Sequence, residues 1–178
     1  MTVTISLLRG VNVGAHHRIK MADLRAVYES LGCRDVQTHI QSGNVIFHGS
    51  NASAVQIEEA IERKFRFRPA VIHRTTGELR RAIAGNPFRD VDPARLLVCF
   101  LAEDPGDAAR QRLRAIPPAP EQVQLKDREL YIYFPNGMAR PKLSLPTLEK
   151  ALKVAGTGRN WNTVTKLLHM AEELETVT

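Results

Sequence analysis

Apolar residues at the start of the chain follow first a strand spacing and then a helix spacing. Residues 2–8 are rich in β-branched residues and leucine and stop before Gly10, which predicts a buried strand. Over residues 21–31 apolar side chains recur every three or four positions, which predicts an amphipathic helix. Gly32 follows and is placed to end that helix. A strand followed by a helix is therefore expected to open the fold.

Two short strands are expected next, over residues 35–41 and 44–48. Gly43 lies between them and accepts the positive φ that a hairpin turn needs. Ser53, with a glutamine three residues later, has the pattern of a capping box and predicts a second helix. A fourth strand is predicted over residues 69–74. The order of these elements is βαββαβ, the ferredoxin-like arrangement.

The second part of the chain repeats this order. An apolar strand is predicted over residues 96–101, a helix over 104–116, a hairpin from 122–126 and 129–134, and a helix over 144–154. The pattern is βαββα, so it lacks one strand of the first half.

The closing region is predicted to hold that strand in reduced form, followed by a helix. The strand is expected to be missing or reduced to residues 158–161. The terminal helix is expected to be capped by Asn162 or Thr163, because both side chains can accept a hydrogen bond from a free helix N–H.

The fold class that follows is α+β, with two ferredoxin-like halves in tandem packed as one compact body. The N-terminal half is expected over residues 1–84 and the C-terminal half, with an extra C-terminal helix, over 85–178. Each half could bury only a modest core alone, and the sequence has no Gly/Ser tract that would act as a flexible linker.

Composition adds that the protein is globular and mildly basic. The chain has 178 residues, of which 43% are apolar and 25% charged, and this excludes global disorder and low complexity. The net charge is +6, and most of the basic excess lies in residues 1–90. Such an excess allows an anionic partner without identifying one.

Several classes of protein and site are disfavoured by what the sequence lacks. Cys33 and Cys99 are far apart and form no CxxC motif, which excludes a disulfide framework and a cysteine-based zinc site. The six histidines have no metal-ligand spacing, so no metal site is predicted. No signal peptide and no membrane-length apolar run is apparent, so we expect a cytoplasmic protein with no membrane partner.

Three polar segments, residues 9–20, 40–45 and 156–166, carry the candidate chemistry. Their glycines let a ligand approach the backbone, and their cations suit phosphate or carboxylate, which arginine binds through two parallel hydrogen bonds. The candidate ligand-binding residues are Arg9, Gly10, Asn12, Gly14, Lys20, Gln41, Ser42, Asn44, Arg159, Asn160, Asn162 and Lys166.

Each of these segments also has a purely structural interpretation. The glycines of the first two segments serve turn geometry equally well, and the Asn and Thr residues of the third serve as helix caps around a core tryptophan, Trp161. Residues 63–68 interleave aromatic and basic side chains, but acidic residues one turn upstream favour a solvated helix end. No P-loop and no GxSxG motif is present, so no catalytic residue, reaction or cofactor is assigned.

The same segments resemble a known family. RGVNVG at residues 9–14, IQSGNVIF at 40–47, NPF at 86–88 and GRNWNTVTKL at 158–167 are similar, in this order, to the bacterial domain-of-unknown-function family numbered 1697. Residues 15–18, Ala-His-His-Arg, stand where that family usually has a second glycine and a lysine-rich loop. The resemblance implies a compact α+β protein with two ferredoxin-like halves, and it implies no activity and no catalytic residues.

Three hypotheses about function follow, and the sequence leaves open whether the protein is an enzyme. The leading one is a cytoplasmic protein that binds a small anionic, phosphate- or carboxylate-bearing ligand in a pocket between the two halves. The first alternative is a nucleic-acid-binding protein that uses the basic N-terminal half. The second alternative is a structural or protein-interaction module with no ligand.

Overall fold

A computed structural model describes residues 1–49 and 51–177. The first half of the chain contains a four-stranded antiparallel sheet with the strand order β2-β3-β1-β4. Its elements are β1 (Val3–Leu8), α1 (Met21–Ser30), β2 (Arg34–His39), β3 (Asn44–His48), α2 (Ala54–Phe65), β4 (Val71–Thr75) and α3 (Thr76–Ala84).

The second half has a sheet of the same kind, with the strand order β6-β7-β5-β8. A short 3₁₀ turn (Pro93–Arg95) leads into it. Its elements are β5 (Leu96–Leu101), α4 (Gly106–Arg114), β6 (Gln122–Lys126), β7 (Glu129–Tyr133), α5 (Leu145–Leu152), β8 (Gly156–Asn160) and α6 (Trp161–Thr176). In both halves the strand that opens the half lies between the third and fourth strands. The predicted α+β fold with two ferredoxin-like halves is therefore confirmed.

The chain divides into two compact units that differ in extent from the predicted halves. The first unit is Met1–Arg81 together with Thr165–Thr178, and the second is Ala82–Val164. The boundary after Arg81 lies three residues before the predicted one. Most of α6 belongs to the first unit, whereas the predicted C-terminal half includes all of it.

The core of the first unit forms between one face of its sheet and helices α1 and α2. Phe47 from β3 packs here with Tyr28 of α1 and Ile57 of α2, all of them fully buried. The hydroxyls of Tyr28 and Ser6 are 2.6 Å apart, so the polar end of the buried tyrosine has a partner. Ser53 forms the predicted capping box with Gln56 at the start of α2.

The second unit has an equivalent core between its sheet and helices α4 and α5. Leu101 and Ile132 from the strands pack with Leu148 and Leu152 of α5. Helix α5 begins after Ser144, whose side chain accepts a hydrogen bond from the backbone N–H of Thr147.

The last strand of the second half is a full five-residue strand and not a reduced one. Residues Gly156–Asn160 pair along β5 from Leu101 to Leu97. The sequence Gly-Thr-Gly-Arg-Asn has no apolar residue, which is why hydrophobic spacing underestimates it. Gly156 packs closely against β5: a Cβ there would lie 2.9 Å from Leu101 Cδ2, 3.0 Å from Cys99 Sγ and 3.2 Å from the carbonyl oxygen of Phe100.

The helices and the two cysteines bear on the classes of protein that the sequence disfavours. Within residues 1–49 and 51–177, every helix is too short or too polar to cross a membrane. Cys33 and Cys99 are both buried and form no disulfide, and burial raises the pKa of the Cys33 thiol to about 11.

Candidate functional site

Three loops of the first unit meet at one end of its sheet. Strands β1 and β2 end there, and β3 and β4 begin there. The backbone N–H of Leu8 donates to the carbonyl of Gly43, and that of Arg9 donates to the carbonyl of Ala70, each at 2.9 Å. Loops 9–20, 40–43 and 66–70 therefore lie side by side, and we call this region the basic loop end.

Asn12 ties two of these loops together. Its Nδ2 donates to the carbonyls of Ile19 at 2.9 Å and Gln41 at 2.7 Å, and its Oδ1 accepts from the N–H of Ile19 at 2.8 Å. The residue has a φ of 55°, which asparagine adopts more readily than most residues. Because its amide is engaged by backbone groups, Asn12 positions the loop and does not itself face a ligand.

The hairpin between β2 and β3 is held in a similar way. The buried Asn44 donates from Nδ2 to the carbonyl of His39 and to Ser42 Oγ, both at 3.0 Å. Gly43 has a φ of 80°, and a Cβ there would lie 2.9 Å from Leu8 Cβ, so only glycine fits. The side chains of Asn44 and Ser42 thus shape the turn.

Two apolar side chains are exposed at the tips of these loops. Val13 is 65% exposed and Ile40 is 52% exposed. Ile40 also has a φ of 49°, a conformation that β-branched residues rarely adopt and that costs about 1–3 kcal/mol. The hydrogen bonds of Asn12 and Asn44 to the residues on either side of Ile40 hold it there.

An aromatic pair joins the first loop to the third. The imidazole of His17 stacks on the ring of Phe67, with centroids 4.3 Å apart and ring planes 11° from parallel. His17 has a φ of 53°, and its carbonyl accepts from the N–H of Asn12 at 3.0 Å. The His17 side chain is exposed although its backbone is fixed.

The loops of the basic loop end carry an excess of positive charge. The three loops contain five Arg and Lys residues and no Asp or Glu. Arg68 is neutralised from outside the loops, by Glu58 at 3.2 Å and Glu62 at 3.5 Å. Lys166, from α6, adds a cation beside the hairpin: burial lowers the pKa of His39 below its ordinary 6.5, and the charge of Lys166 lowers it further.

Nine of the twelve predicted site residues thus belong to the first unit and lie at or beside the basic loop end. Arg9, Gly10, Gly14, Lys20 and Gln41 are exposed there. The nine are Arg9, Gly10, Asn12, Gly14, Lys20, Gln41, Ser42, Asn44 and Lys166.

The other three residues lie in the second unit, at the junction of β8 and α6. Arg159 is 8% exposed, and its Nη1 donates to Thr157 Oγ1 at 2.7 Å and to the carbonyl of Gly158 at 2.9 Å. Burial lowers the pKa of Arg159 to about 10. Asn160 Oδ1 accepts from the N–H of Thr163 at 2.8 Å, so Asn160 is the helix cap. The predicted cap, Asn162 or Thr163, is therefore wrong by two or three residues, and Asn162 lies exposed in the first turn of α6.

The second unit also has cavities that sequence reasoning did not point to. One of about 400 Å³ lies between α4 and β6 and is lined by Arg114, Pro117, Glu121 and Val123 among others. Another, of about 340 Å³, is lined by Trp161 together with residues of the 83–96 segment. Trp161 is therefore a half-buried cavity wall and not a fully enclosed core residue.

Sequence reasoning also missed three residues of the basic loop end, namely His17, Ile40 and Phe67. The signal for Phe67 was present in the basic–aromatic run over residues 63–68, but nothing in the sequence joins that run to His17. No signal identified Ile40, because its positive φ is set by contacts between loops.

Comparisons with known proteins agree with the fold. Residues 1–131 match the model of a family described as "Protein of unknown function (DUF1697)". A solved structure of a conserved bacterial protein from Streptococcus pneumoniae is similar, with a TM-score of 0.64 and 24% sequence identity. The likeness covers 96% of this chain and 98% of that chain, and it shows a shared fold. No curated protein matches the sequence.

Proposed function

This chain belongs to the DUF1697 family of proteins of unknown function, and we propose that it binds a small anionic ligand at the basic loop end. The ligand class is one that bears phosphate or carboxylate groups. The observation that carries the proposal is the excess of cations in the three loops: besides Arg68, which Glu58 and Glu62 neutralise, the loops contain four Arg and Lys residues and no Asp or Glu. Such a one-sided cluster attracts anions.

The rigidity of the loops supports the same proposal. Asn12 links the first loop to the hairpin, and Asn44 holds the hairpin turn. A site whose backbone is already fixed loses little conformational freedom when it binds, so more of the interaction energy contributes to affinity. Strained residues such as Ile40 are also concentrated at functional sites in proteins generally.

Each predicted residue then has a distinct role in this proposal. Arg9, Lys20 and Lys166 supply charge, and the exposed Gln41 supplies a neutral polar side chain for orientation. Gly10 and Gly14 leave the backbone accessible, because nothing lies within 4 Å of where their Cβ atoms would be. Asn12, Ser42 and Asn44 maintain the loop geometry.

In this proposal the three candidate residues of the second unit, Arg159, Asn160 and Asn162, contribute less to ligand binding than the residues of the basic loop end. The Arg159 guanidinium is largely buried and Asn160 is engaged as a cap, so both have structural roles that the fold itself requires. The contribution of Arg159 to binding is measured separately with the variant Arg159→Ala.

The proposal is tested by titration with pyrophosphate at low ionic strength. We expect saturable binding that weakens as salt rises, and a loss of affinity in the double variant Arg9→Ala/Lys20→Ala. The matched control is Arg34→Ala, which removes an exposed cation at the other end of β2, about 17 Å from His39. A loss of binding free energy in the double variant that is only twice the loss in the control, which removes one charge instead of two, would show that the binding reflects net charge only and would overturn the proposal, as would the absence of binding.

A further inference from the structure

The basic loop end carries an aromatic surface next to its cations. One face of the His17 imidazole lies against Phe67, and the side chain is exposed, so its opposite face is accessible to solvent. Arg18 follows His17 directly and Arg66 precedes Phe67, and both are exposed. We infer that the anion bound at the basic loop end is a nucleotide, whose base stacks on the accessible face of His17. This inference rests on the proposed function and names its ligand class.

Both the backbone and the side chain of His17 are held by contacts. Its carbonyl accepts from the N–H of Asn12 at 3.0 Å, its φ is 53°, and its ring is stacked on Phe67. An exposed histidine on a surface loop is normally free to change rotamer, so this degree of fixation is unusual. A preordered ring offers a flat surface on which a base stacks at little entropic cost.

The extent of the site argues for a ligand larger than one phosphate. Four strands end or begin here, and strand spacing makes the sheet end about 14 Å wide. The cations are distributed across it, with Lys166 beside the hairpin at the β2 side and Arg66 beside Phe67 on the β4 side. A single tetrahedral anion reaches only donors within about 3 Å of its oxygens. A ligand that joins a ring to a chain of phosphates contacts both the aromatic pair and several of the cations.

A site that has both a stacking surface and cations matches a nucleotide, which has both a base and phosphates. Every base has a π-face, so stacking on His17 requires no particular base and predicts weak base selectivity. Arginine and lysine beside the ring suit the phosphates. A free nucleotide and one residue of a single-stranded nucleic acid share this chemistry, and the experiment separates the two.

The experiment compares ATP with tripolyphosphate, which carries the same phosphate chain without base or sugar, by titration calorimetry. We expect ATP to bind more tightly to the native protein. His17→Ala is expected to weaken ATP binding about 5- to 150-fold and to leave tripolyphosphate binding unchanged. His17→Phe, which preserves a stacking ring and removes the imidazole nitrogens, is expected to retain ATP binding. His16→Ala is the matched control, because it removes a neighbouring exposed histidine with no stacking contact in the described structure.

Binding of a short fluorescein-labelled oligo(dT) shows whether the site takes a base of single-stranded nucleic acid or of a free nucleotide. Tighter, His17-dependent binding of the oligonucleotide than of ATP assigns the site to single-stranded nucleic acid, and the reverse order assigns it to free nucleotides. Equal affinity for ATP and tripolyphosphate, with no effect of His17→Ala on any ligand, would overturn the nucleotide inference while the anion site remains. Failure of every phosphate ligand to bind would overturn the anion site as well.

Discussion

Arg74 and Arg159 occupy the same position in the two halves of the protein. Arg74 on β4 lies opposite Ile5 of the first strand of its sheet, and Arg159 on β8 lies opposite Val98 of the corresponding strand. Both are buried, at 1% and 8% exposure. Both precede by one residue a side chain that caps the next helix. The two halves are therefore related at the level of individual residues and not only by their order of elements.

Both arginines are expected to stabilise the half in which they lie. Arg74→Ala and Arg159→Ala each remove a large buried side chain and its hydrogen bonds, so each should lower the free energy of unfolding by about 2 kcal/mol or more. Urea denaturation measures this. Arg114→Ala, which truncates an exposed arginine, serves as control and should change stability by no more than about 0.5 kcal/mol.

The Arg159→Ala variant also separates a structural role from a ligand role. If Arg159 is structural, the variant loses stability while its affinity for pyrophosphate, measured at a temperature where it is folded, is unchanged. A loss of affinity that exceeds the loss in the Arg34→Ala control would instead assign Arg159 to the binding site.

Thr75 and Asn160, the helix caps that follow the two arginines, are expected to contribute equally to the free energy of unfolding. Thr75 Oγ1 accepts from the N–H of Glu78 at 3.1 Å, and Asn160 Oδ1 accepts from the N–H of Thr163 at 2.8 Å. Thr75→Ala and Asn160→Ala should each reduce the free energy of unfolding by about 1 kcal/mol. Asn160→Asp keeps the accepting oxygen and should retain most of the stability. A larger loss in Asn160→Asp than in Asn160→Ala would contradict the assignment of this cap.

The order of the elements could be predicted from the sequence. When one face of a sheet packs against two helices, apolar residues recur at regular spacing along each strand and each helix. A strand that is built from glycine and polar residues has no such spacing of apolar residues. Strand β8 is packed through two glycines, a threonine and a buried arginine, so its length was underestimated and the following cap was placed two or three residues too late.

The candidate residues were selected by residue type, and residue type does not show whether a side-chain amide faces a ligand or its own backbone, as Asn12 illustrates. The pairing of His17 with Phe67 joins residues fifty positions apart and has no local signal.

Asn12 is expected to act through loop geometry. Asn12→Ala loses three side-chain hydrogen bonds and places alanine at a φ of 55°, whereas Asn12→Gly loses the same bonds without the steric penalty. Both should weaken pyrophosphate binding, and alanine should be less stable than glycine by about 1 kcal/mol in urea denaturation. Unchanged pyrophosphate affinity in both variants would show that the loop conformation does not matter for binding.

Gly43 is the position in the hairpin where the backbone tolerates no side chain. Gly43→Ala would place a methyl group 2.9 Å from Leu8 Cβ and 3.3 Å from Val11 Cβ at a φ of 80°. We expect a loss of about 1–3 kcal/mol in the free energy of unfolding. Gly14→Ala is the control, since that glycine has a similar φ of 62° and open space around it. The difference between the two variants measures the steric contact, and equal losses would assign the whole effect to backbone strain.

His73 is expected to make the stability of the protein depend on pH. Burial lowers the pKa of His73 below its ordinary 6.5, although the nearby charge of Glu58 opposes this shift. Its Nε2 is buried and makes no hydrogen bond within the described residues, and its ring contacts Phe47 edge-on. Because the unfolded chain binds the proton more tightly than the folded one, protonation favours unfolding, and stability falls as pH decreases below 6.5.

Urea denaturation of the native protein and of His73→Leu at pH 7.5 and pH 5.0 isolates this contribution. The native protein should lose more stability on acidification than the variant, because leucine removes the titrating group and keeps the site apolar. His16→Gln is the control, because it removes an exposed histidine and keeps His73, so the fall in stability of the native protein on acidification should persist in it. An identical loss in native protein and His73→Leu would show that His73 is protonated as easily in the folded state as in the unfolded chain.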